Sequence, residues 1–192
     1  CRVAHPDVPG EYCFPPFASL ITGAARLMLA LLEHSVTALG GTYAMEDTDS
    51  MAIVATEFGG LVPCSGGLLE TECGQAAIRA LSWNQIKEIS DKFVALNPYD
   101  RKAIPESVLK IEDVHFDPIT RVQRHVYCLA FSAKRYTFFL LDYGGVPVLL
   151  KKGVNSKDDG WKQHGLGHLL NPTDLESEDR AWIGGVWLNI VR

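Results

Sequence analysis

Tyr-Ala-Met-Glu-Asp-Thr-Asp-Ser occupies residues 43–50 and runs into the apolar residues 51–56, and this segment governs the architecture that the sequence predicts. Gly40-Gly41 stands shortly before it, and its charged centre is Asp47-Thr48-Asp49. This order is typical of a helix that stops at paired glycines, a short strand, an acidic tight turn and a returning strand. We therefore expect an acidic β-hairpin.

Two carboxylates meet at the predicted turn. Like charges about 4 Å apart repel by roughly 1 kcal/mol in water and by several times more near a protein surface. A hairpin that only had to turn would more often use Asn-Gly or Asp-Gly. A divalent cation converts the repulsion into coordination, since Mg²⁺ takes one or two carboxylates and completes its shell with water and substrate phosphates. A plain surface turn is the alternative, because Asp and Ser side chains also hydrogen-bond to turn backbone.

A long apolar segment with helical periodicity precedes the hairpin. Pro15-Pro16 suits a first helical turn, and apolar residues then recur at three- and four-residue spacing over about 22 residues. Gly40-Gly41 ends the helix. We interpret it as a packing element that fixes the position of the hairpin, with Arg26, Glu33 and His34 on its solvated face.

A long apolar helix, a glycine break and Asp-Thr-Asp-Ser on a hairpin together resemble the arrangement in family B DNA polymerases. Ser132-Ala133-Lys134-Arg135-Tyr136 looks like the Lys-x-Tyr motif of the same family. Lys151-Lys152-Gly153-Val154 resembles its Lys-Gly segment at the entry to the thumb. The resemblance covers about residues 14–160 and matches the C-terminal half of a palm and the root of a thumb.

The resemblance implies template-directed nucleotidyl transfer from dNTPs to a DNA primer–template. Two Mg²⁺ ions about 3.5–4 Å apart clamp the attacking and leaving oxygens in such a site. Asp49 matches the second Asp of the family motif and is the expected bridging ligand, and Asp47 matches the first Asp and is a supporting ligand. The expected nucleic-acid contacts are Lys134, Tyr136, Arg135 and Lys152. Glu112 is a further acidic candidate near the metals.

The chain departs from the family pattern in two ways. Met45-Glu46 stands where the family has Tyr-Gly, so a third carboxylate is expected at the hairpin tip. The motif Asp-x-x-Ser-Leu-Tyr-Pro, which supplies the other palm Asp, and the fingers motif ending in Asn-Ser-x-Tyr-Gly have no counterpart. We therefore expect a fragment of a polymerase that is inactive alone and that works with missing N-terminal polymerase domains.

The predicted fold class is α+β: an antiparallel palm-type sheet with an acidic β-hairpin, packed on helices and followed by a small helical thumb-like segment. Ser82 opens a helix, with Gln85 completing a capping box. Glycine-rich residues 57–80 are expected to form a loop insertion. Strands are expected at 107–117, 122–131, 137–141 and 146–150. The palm part is placed at 1–145 and the start of the thumb at 146–192.

Composition and charge bound the possible partners. The 192 residues carry a net charge of −5, but residues 121–162 hold eight Lys and Arg against three Asp and Glu, and this excess surrounds the Lys-Arg-Tyr motif. The five cysteines form no Cys-x-x-Cys pair, so a zinc site is not expected. No apolar run approaches the roughly 18 residues of a membrane helix. We expect no membrane partner and a cytoplasmic location, nucleoid-associated or in a phage-infected cell.

Three other functional hypotheses stay open. The first is a non-catalytic polymerase-like nucleic-acid-binding module, favoured by Glu46 and by the missing motifs. The second is an unrelated metal-dependent hydrolase, which would need a third carboxylate or His near the hairpin. The third is a plain α+β binding domain, supported by the acidic balance.

Overall fold

The computed structural model describes residues 10–103, 107–132, 134–150, 163–164 and 181–192. Helices combine with mostly antiparallel strands, so the α+β class is confirmed. The elements follow in this order: α1 (Pro15–Ala38), β1 (Tyr43–Asp47), β2 (Ser50–Ile53), β3 (Ala55–Thr56), β4 (Phe58–Pro63), β5 (Leu69–Glu70), β6 (Ala76–Ser82), α2 (Trp83–Val94), a 3-10 helix (Asp113–His115), β7 (Tyr127–Ser132), β8 (Arg135–Leu141), β9 (Pro147–Leu149), β10 (Gln163–His164) and α3 (Ala181–Val191).

Helix α1 begins and ends where the sequence predicts. Proline occupies its first turn, where a missing N–H costs nothing. At the other end Gly40 takes φ +71°, and the Gly41 N–H donates to the carbonyl of Val36 at 3.0 Å. A Cβ added at Gly41 would lie 2.6 Å from Leu81 Cγ. The second glycine therefore lets the chain pass close to β6 on its way into the hairpin.

A hydrophobic core between α1, β6 and α2 packs against one face of the hairpin. Its buried members are Leu32, Val36, Leu81, Ile89 and Phe93, and Met51 and Ile53 of β2 pack against them. Helix α2 has the predicted capping box, because the Ser82 hydroxyl accepts from the Gln85 N–H at 3.2 Å and Gln85 Oε1 accepts from the Ser82 N–H at 2.8 Å. The hairpin is thus held to a packed core from one side.

Residues 57–80 are not the loop insertion that was predicted. They form β4, β5 and most of β6, with β4 and β5 antiparallel to β6 and β3 parallel to it. The loop prediction is wrong because Gly59 and Gly60 lie inside β4 with positive φ, so that glycines which read as a loop are paired residues of a strand.

A second sheet is built from the C-terminal half of the chain. Strand β8 pairs with β7, β9 and β10, all antiparallel. Leu149 of β9 packs with Ile183 and Trp187 of α3 in a second core. The strands predicted at 137–141 and 146–150 are confirmed, and that at 122–131 begins only at Tyr127.

The strand predicted over 107–117 is wrong. The 3-10 helix Asp113–His115 and one isolated bridge, Phe116–Gln123, occupy its second half. Asp117 nucleates a tight turn there, since its carboxylate accepts from the N–H groups of Ile119 and Thr120 at 3.0 and 2.7 Å. An acid that caps a turn in this way competes with strand pairing.

Helix α1 is by length and composition apolar enough to cross a membrane, and its most apolar 18-residue window is 11% buried. The expectation that no segment approaches this length is wrong on this measure. Polar residues such as Thr22 and Arg26 interrupt the apolar run without making the segment polar. The C-terminal half carries Leu29, Leu32 and Val36 into the interior. The same length criterion is met by core helices and signal sequences, so it identifies no membrane role.

Candidate functional site

The acidic hairpin forms as predicted. Strands β1 and β2 are antiparallel, Asp47 pairs with Ser50, and Thr48-Asp49 makes the turn. Thr48 has φ 60°, which is the left-handed region that favours glycine, and the Asp49 N–H donates to the Asp47 carbonyl across it at 2.7 Å. A β-branched residue is strained there, at a cost of roughly 1–2 kcal/mol. Side-chain bonds at the tip hold this conformation.

Lys134 reaches the tip of the hairpin across 87 positions of sequence. Its Nζ contacts Asp47 Oδ1 in an ion pair and donates to Thr48 Oγ1 at 3.2 Å. Thr48 Oγ1 in turn donates to Asp47 Oδ1 at 2.9 Å. The Asp47 side chain is 13% exposed and that of Lys134 is 59% exposed. The predicted acid and the predicted Lys-x-Tyr lysine therefore meet in one cluster.

Tyr136 lies on the strand that starts behind Lys134 and is half-buried. Burial raises its pKa above the ordinary value of a tyrosine, and the negative charges of Asp47 and Glu112 raise this pKa further. Both carboxylates are thus close enough to act on its hydroxyl. The structure brings Lys134 onto Asp47, and Tyr136 of β8 lies within electrostatic reach of both Asp47 and Glu112.

Asp49 faces a different space from Asp47. It is exposed and lines a groove of about 440 Å³ between the hairpin tip and α1, together with Thr48 and four helix residues: Ile21, Thr22, Ala25 and Arg26. Arg26 was expected on a solvated face of α1 and outside any site. It is exposed, but it forms a wall of this groove. The four-residue spacing between Thr22 and Arg26 could have indicated that both lie on the same face of α1.

Glu46 does not crowd the acidic tip as expected. It pairs with Met51, whose side chain packs on the core, so Glu46 lies on the face of the hairpin toward α1. There Glu46 contributes to raising the pKa of Tyr43, whose hydroxyl donates to Glu33 Oε1 at 2.7 Å. Among the described residues Glu46 Oε1 is buried without a hydrogen-bond partner. The carboxylate of Glu46, which was expected at the hairpin tip, therefore lies on the opposite face of the hairpin from Asp47.

The chemistry of this site fits a hard cation in part. Asp47 and Asp49 each offer carboxylate oxygens, which Mg²⁺ prefers, but Asp47 contacts Lys134 while Asp49 lines the groove beside α1, so the two carboxylates do not form one ligand set in this structure. Over the described part of the chain, no group of three or more His, Cys, Asp or Glu side chains could hold a metal ion. Arg135 is exposed at the start of β8. Lys152 lies outside the described residues.

Comparison with known proteins gives no independent assignment: no model of a protein family, no curated protein and no solved structure matches this chain.

Proposed function

We propose that this chain is the C-terminal part of a family B-like DNA polymerase palm with the start of a thumb, a fragment of an enzyme for template-directed nucleotidyl transfer from dNTPs. The observation that carries the proposal is the meeting of Lys134 with Asp47. The two motifs that suggested the family lie far apart in sequence, and an unrelated surface turn and strand start have no reason to converge. Their contact supports a common site.

Each residue has a role in this proposal. In this proposal Asp49 would be the main carboxylate ligand for Mg²⁺ and Asp47 would support it. Mg²⁺ supplies Lewis-acid activation of the primer hydroxyl and charge neutralisation of the triphosphate. Lys134, with Arg135 and Lys152, offers cationic contacts to the DNA backbone, and Tyr136 adds a flat surface with a hydroxyl donor. Arg26 faces the same groove as Asp49 and is suited to hold a phosphate there.

The fragment needs partners to act. Two carboxylates and a lysine position charge, but the remaining palm Asp and the fingers are expected in the missing N-terminal polymerase domains. The isolated chain accordingly binds divalent ions and primer–template weakly and does not synthesise DNA. The proposed location is the cytoplasm, at a nucleoid or in a phage-infected cell, without a membrane partner.

Metal binding by paired variants tests the proposal. Mn²⁺ titration of the 192-residue chain by calorimetry is expected to show binding that Asp49→Ala and Asp47→Ala weaken at least tenfold. The matched control is Asp91→Ala, which removes an exposed carboxylate that is likewise paired with a lysine, Lys87, at 2.7 Å. Equal Mn²⁺ affinity in the wild type and in all three variants would contradict the metal-site assignment.

A non-catalytic polymerase-like nucleic-acid-binding module is the second candidate. It is favoured by the ion pair on Asp47, because a lysine already neutralises the acid that a metal would take. Fluorescence anisotropy with a labelled primer–template separates the two candidates. Binding that is the same in Mg²⁺ and in EDTA, together with absent Mn²⁺ binding, supports the module and not the enzyme fragment.

A further inference from the structure

Helix α1 exposes a continuous apolar stripe along much of its length. This outer stripe consists of Phe17, Leu20, Ile21, Ala24, Leu27 and Leu31. Its large side chains are between 39% and 69% exposed, and Ala24 is exposed among them. At about 3.6 residues per turn, the six positions fall within roughly one third of the helix circumference. A contiguous apolar patch of several side chains is uncommon on a soluble monomer and marks an interaction surface.

The outer stripe is not the face that α1 packs on its own fold. Leu29, Leu32 and Val36 are the buried residues of the helix, and they point about a third of a turn away from Ala24. The helix therefore has two apolar faces, and the described part of the chain covers only one of them. Because an apolar side chain gains free energy when it leaves water, the outer stripe favours a partner.

The side chains of the outer stripe are arranged symmetrically about Ala24. Ile21 and Leu27 lie three residues before and after it, and Phe17 and Leu31 lie seven residues before and after it. In an antiparallel helix pair with a two-fold axis at Ala24, each residue meets the one at the same distance on the other side of the axis. Bulky side chains would then face bulky side chains, and the small Ala24 at the centre would let the two helices approach closely.

A lipid surface fits this helix less well than a second copy does. Helices that lie on membranes carry several Lys or Arg side chains on the polar face, whereas Arg26 is the only Lys or Arg of α1. A helix that crosses a membrane is surrounded by lipid on all sides, whereas Leu32 and Val36 pack in the core with α2 and β6. The outer stripe itself carries no charge, so no electrostatic repulsion opposes its contact with another outer stripe.

We propose that two copies of this chain associate through the outer stripes of α1, antiparallel about a two-fold axis at Ala24. Two stripes of this length would withdraw on the order of 1,000 Å² from water, which is near the lower limit for a specific interface. The dimer is accordingly weak and forms in a concentration-dependent equilibrium. Because the stripe is exposed in the single chain, substitutions in it act on association and leave the stability of the dilute monomer unchanged. The proposal is independent of the proposed function, since the stripe contains none of the charged residues assigned there.

The test measures self-association of the 192-residue chain by sedimentation velocity over a concentration series. Ala24→Glu brings two like charges face to face at the axis and is expected to raise the dimer dissociation constant at least about tenfold. Ala30→Glu is the matched control, because it makes the same substitution at an exposed position of α1 outside the stripe, and it should associate like the wild type. Circular dichroism should show the same helix content in both variants, since both positions are exposed in the single chain.

Two double variants test the antiparallel pairing, which places residue 17 opposite residue 31 of the other copy. Phe17→Glu with Leu31→Lys brings opposite charges together there, and Phe17→Glu with Leu31→Glu brings like charges together. The first is expected to dimerise at least about tenfold more tightly than the second. Equal affinities of the two would overturn the antiparallel arrangement, because a parallel pair juxtaposes like charges in both.

Three results would overturn the proposed dimer. The first is a wild-type chain that stays monomeric at every concentration, and the second is a dimer that Ala24→Glu leaves intact and that therefore forms through another surface. The third comes from flotation with neutral phosphatidylcholine vesicles. A wild type that floats with the vesicles and does not dimerise in solution, together with Ala24→Glu that does not float, would assign the outer stripe to lipid.

Discussion

Tyr43 of β1 donates a 2.7 Å hydrogen bond to Glu33 Oε1 of α1, and this bond ties the acidic hairpin to the long helix. The hydrogen bond to Glu33, and then the negative charge of Glu33, raise the pKa of Tyr43. The folded state therefore holds the phenolic proton more tightly than the unfolded chain. This contribution to stability is complete below the unfolded pKa of about 10 and is lost as the pH rises through the raised folded pKa.

The first prediction concerns this alkaline loss of stability. As the pH rises above about 10, the ordinary pKa of a tyrosine, the melting temperature of the wild type is expected to fall more steeply than that of Tyr43→Phe. Thermal unfolding followed by circular dichroism gives both slopes. Tyr99→Phe, at an exposed tyrosine, is the control and should keep the wild-type slope. Identical slopes for the wild type and Tyr43→Phe would show that the bond does not persist in solution.

Local signals made the first half of the fold predictable. Prolines at the start of α1, glycines at its end and the Ser82–Gln85 capping box each act within a few residues, so the sequence alone locates both helices. The β1–β2 hairpin was also predictable, because its paired residues lie close together in the sequence. In contrast, β4 contains two glycines with positive φ, and only pairing with β6, a partner many residues away, makes it a strand.

The residues of the candidate site could be proposed from the sequence, but their arrangement could not. Asp47, Lys134 and Tyr136 were named from a family resemblance, and nothing in their local sequence states that Lys134 lies on Asp47. The direction of Glu46 was missed because the register of β1 shifts between Tyr43 and Met45. Such an irregularity decides which face of the hairpin turns Glu46 toward α1, and it cannot be read from the sequence. That Glu46 and Asp47 lie on opposite faces follows from strand alternation alone.

The second prediction contrasts the buried C-terminal half of α1 with its exposed N-terminal half. Leu32 is 7% exposed in the core that supports the hairpin, whereas Leu20 on the same helix is 69% exposed. Leu32→Ala removes a buried side chain and leaves a cavity, so it is expected to lower the free energy of unfolding by about 2–5 kcal/mol. Leu20→Ala is the matched control, with an expected change within about 0.5 kcal/mol. Urea denaturation measures both, and similar losses would mean that the N-terminal half of α1 is packed in solution.

The third prediction uses two glycines with opposite surroundings. A Cβ at Gly67 would lie 2.2 Å from the carbonyl oxygen of Ala77, so the turn before β5 would have to move off β6. Gly67→Ala is expected to destabilise the protein by about 1–3 kcal/mol, as other overpacked substitutions do. Gly185 lies in α3 with open space around it, and Gly185→Ala should stabilise by about 0.5–1 kcal/mol. Chemical denaturation of both variants checks the contrast, and a neutral Gly67→Ala would show that this turn is not packed on β6.

The fourth prediction concerns Glu46, which lies on the face of the hairpin that packs toward α1, opposite the face that carries Asp47. Its Oε1 is buried without a hydrogen-bond partner among the described residues, and its charge lies near that of Glu33 through Tyr43. Glu46→Gln removes this charge and its repulsion from Glu33 while keeping the shape of the side chain, and it is expected to raise the free energy of unfolding by roughly 1 kcal/mol, the order of a repulsion between two like charges a few ångströms apart. Because Glu46 faces α1 and Asp47 faces Lys134, Mn²⁺ affinity should be unchanged in Glu46→Gln and weakened in Asp47→Asn. Calorimetric titration of both variants decides the point, since a loss of Mn²⁺ binding in Glu46→Gln would place Glu46 in the metal site and refute the assignment of the two faces.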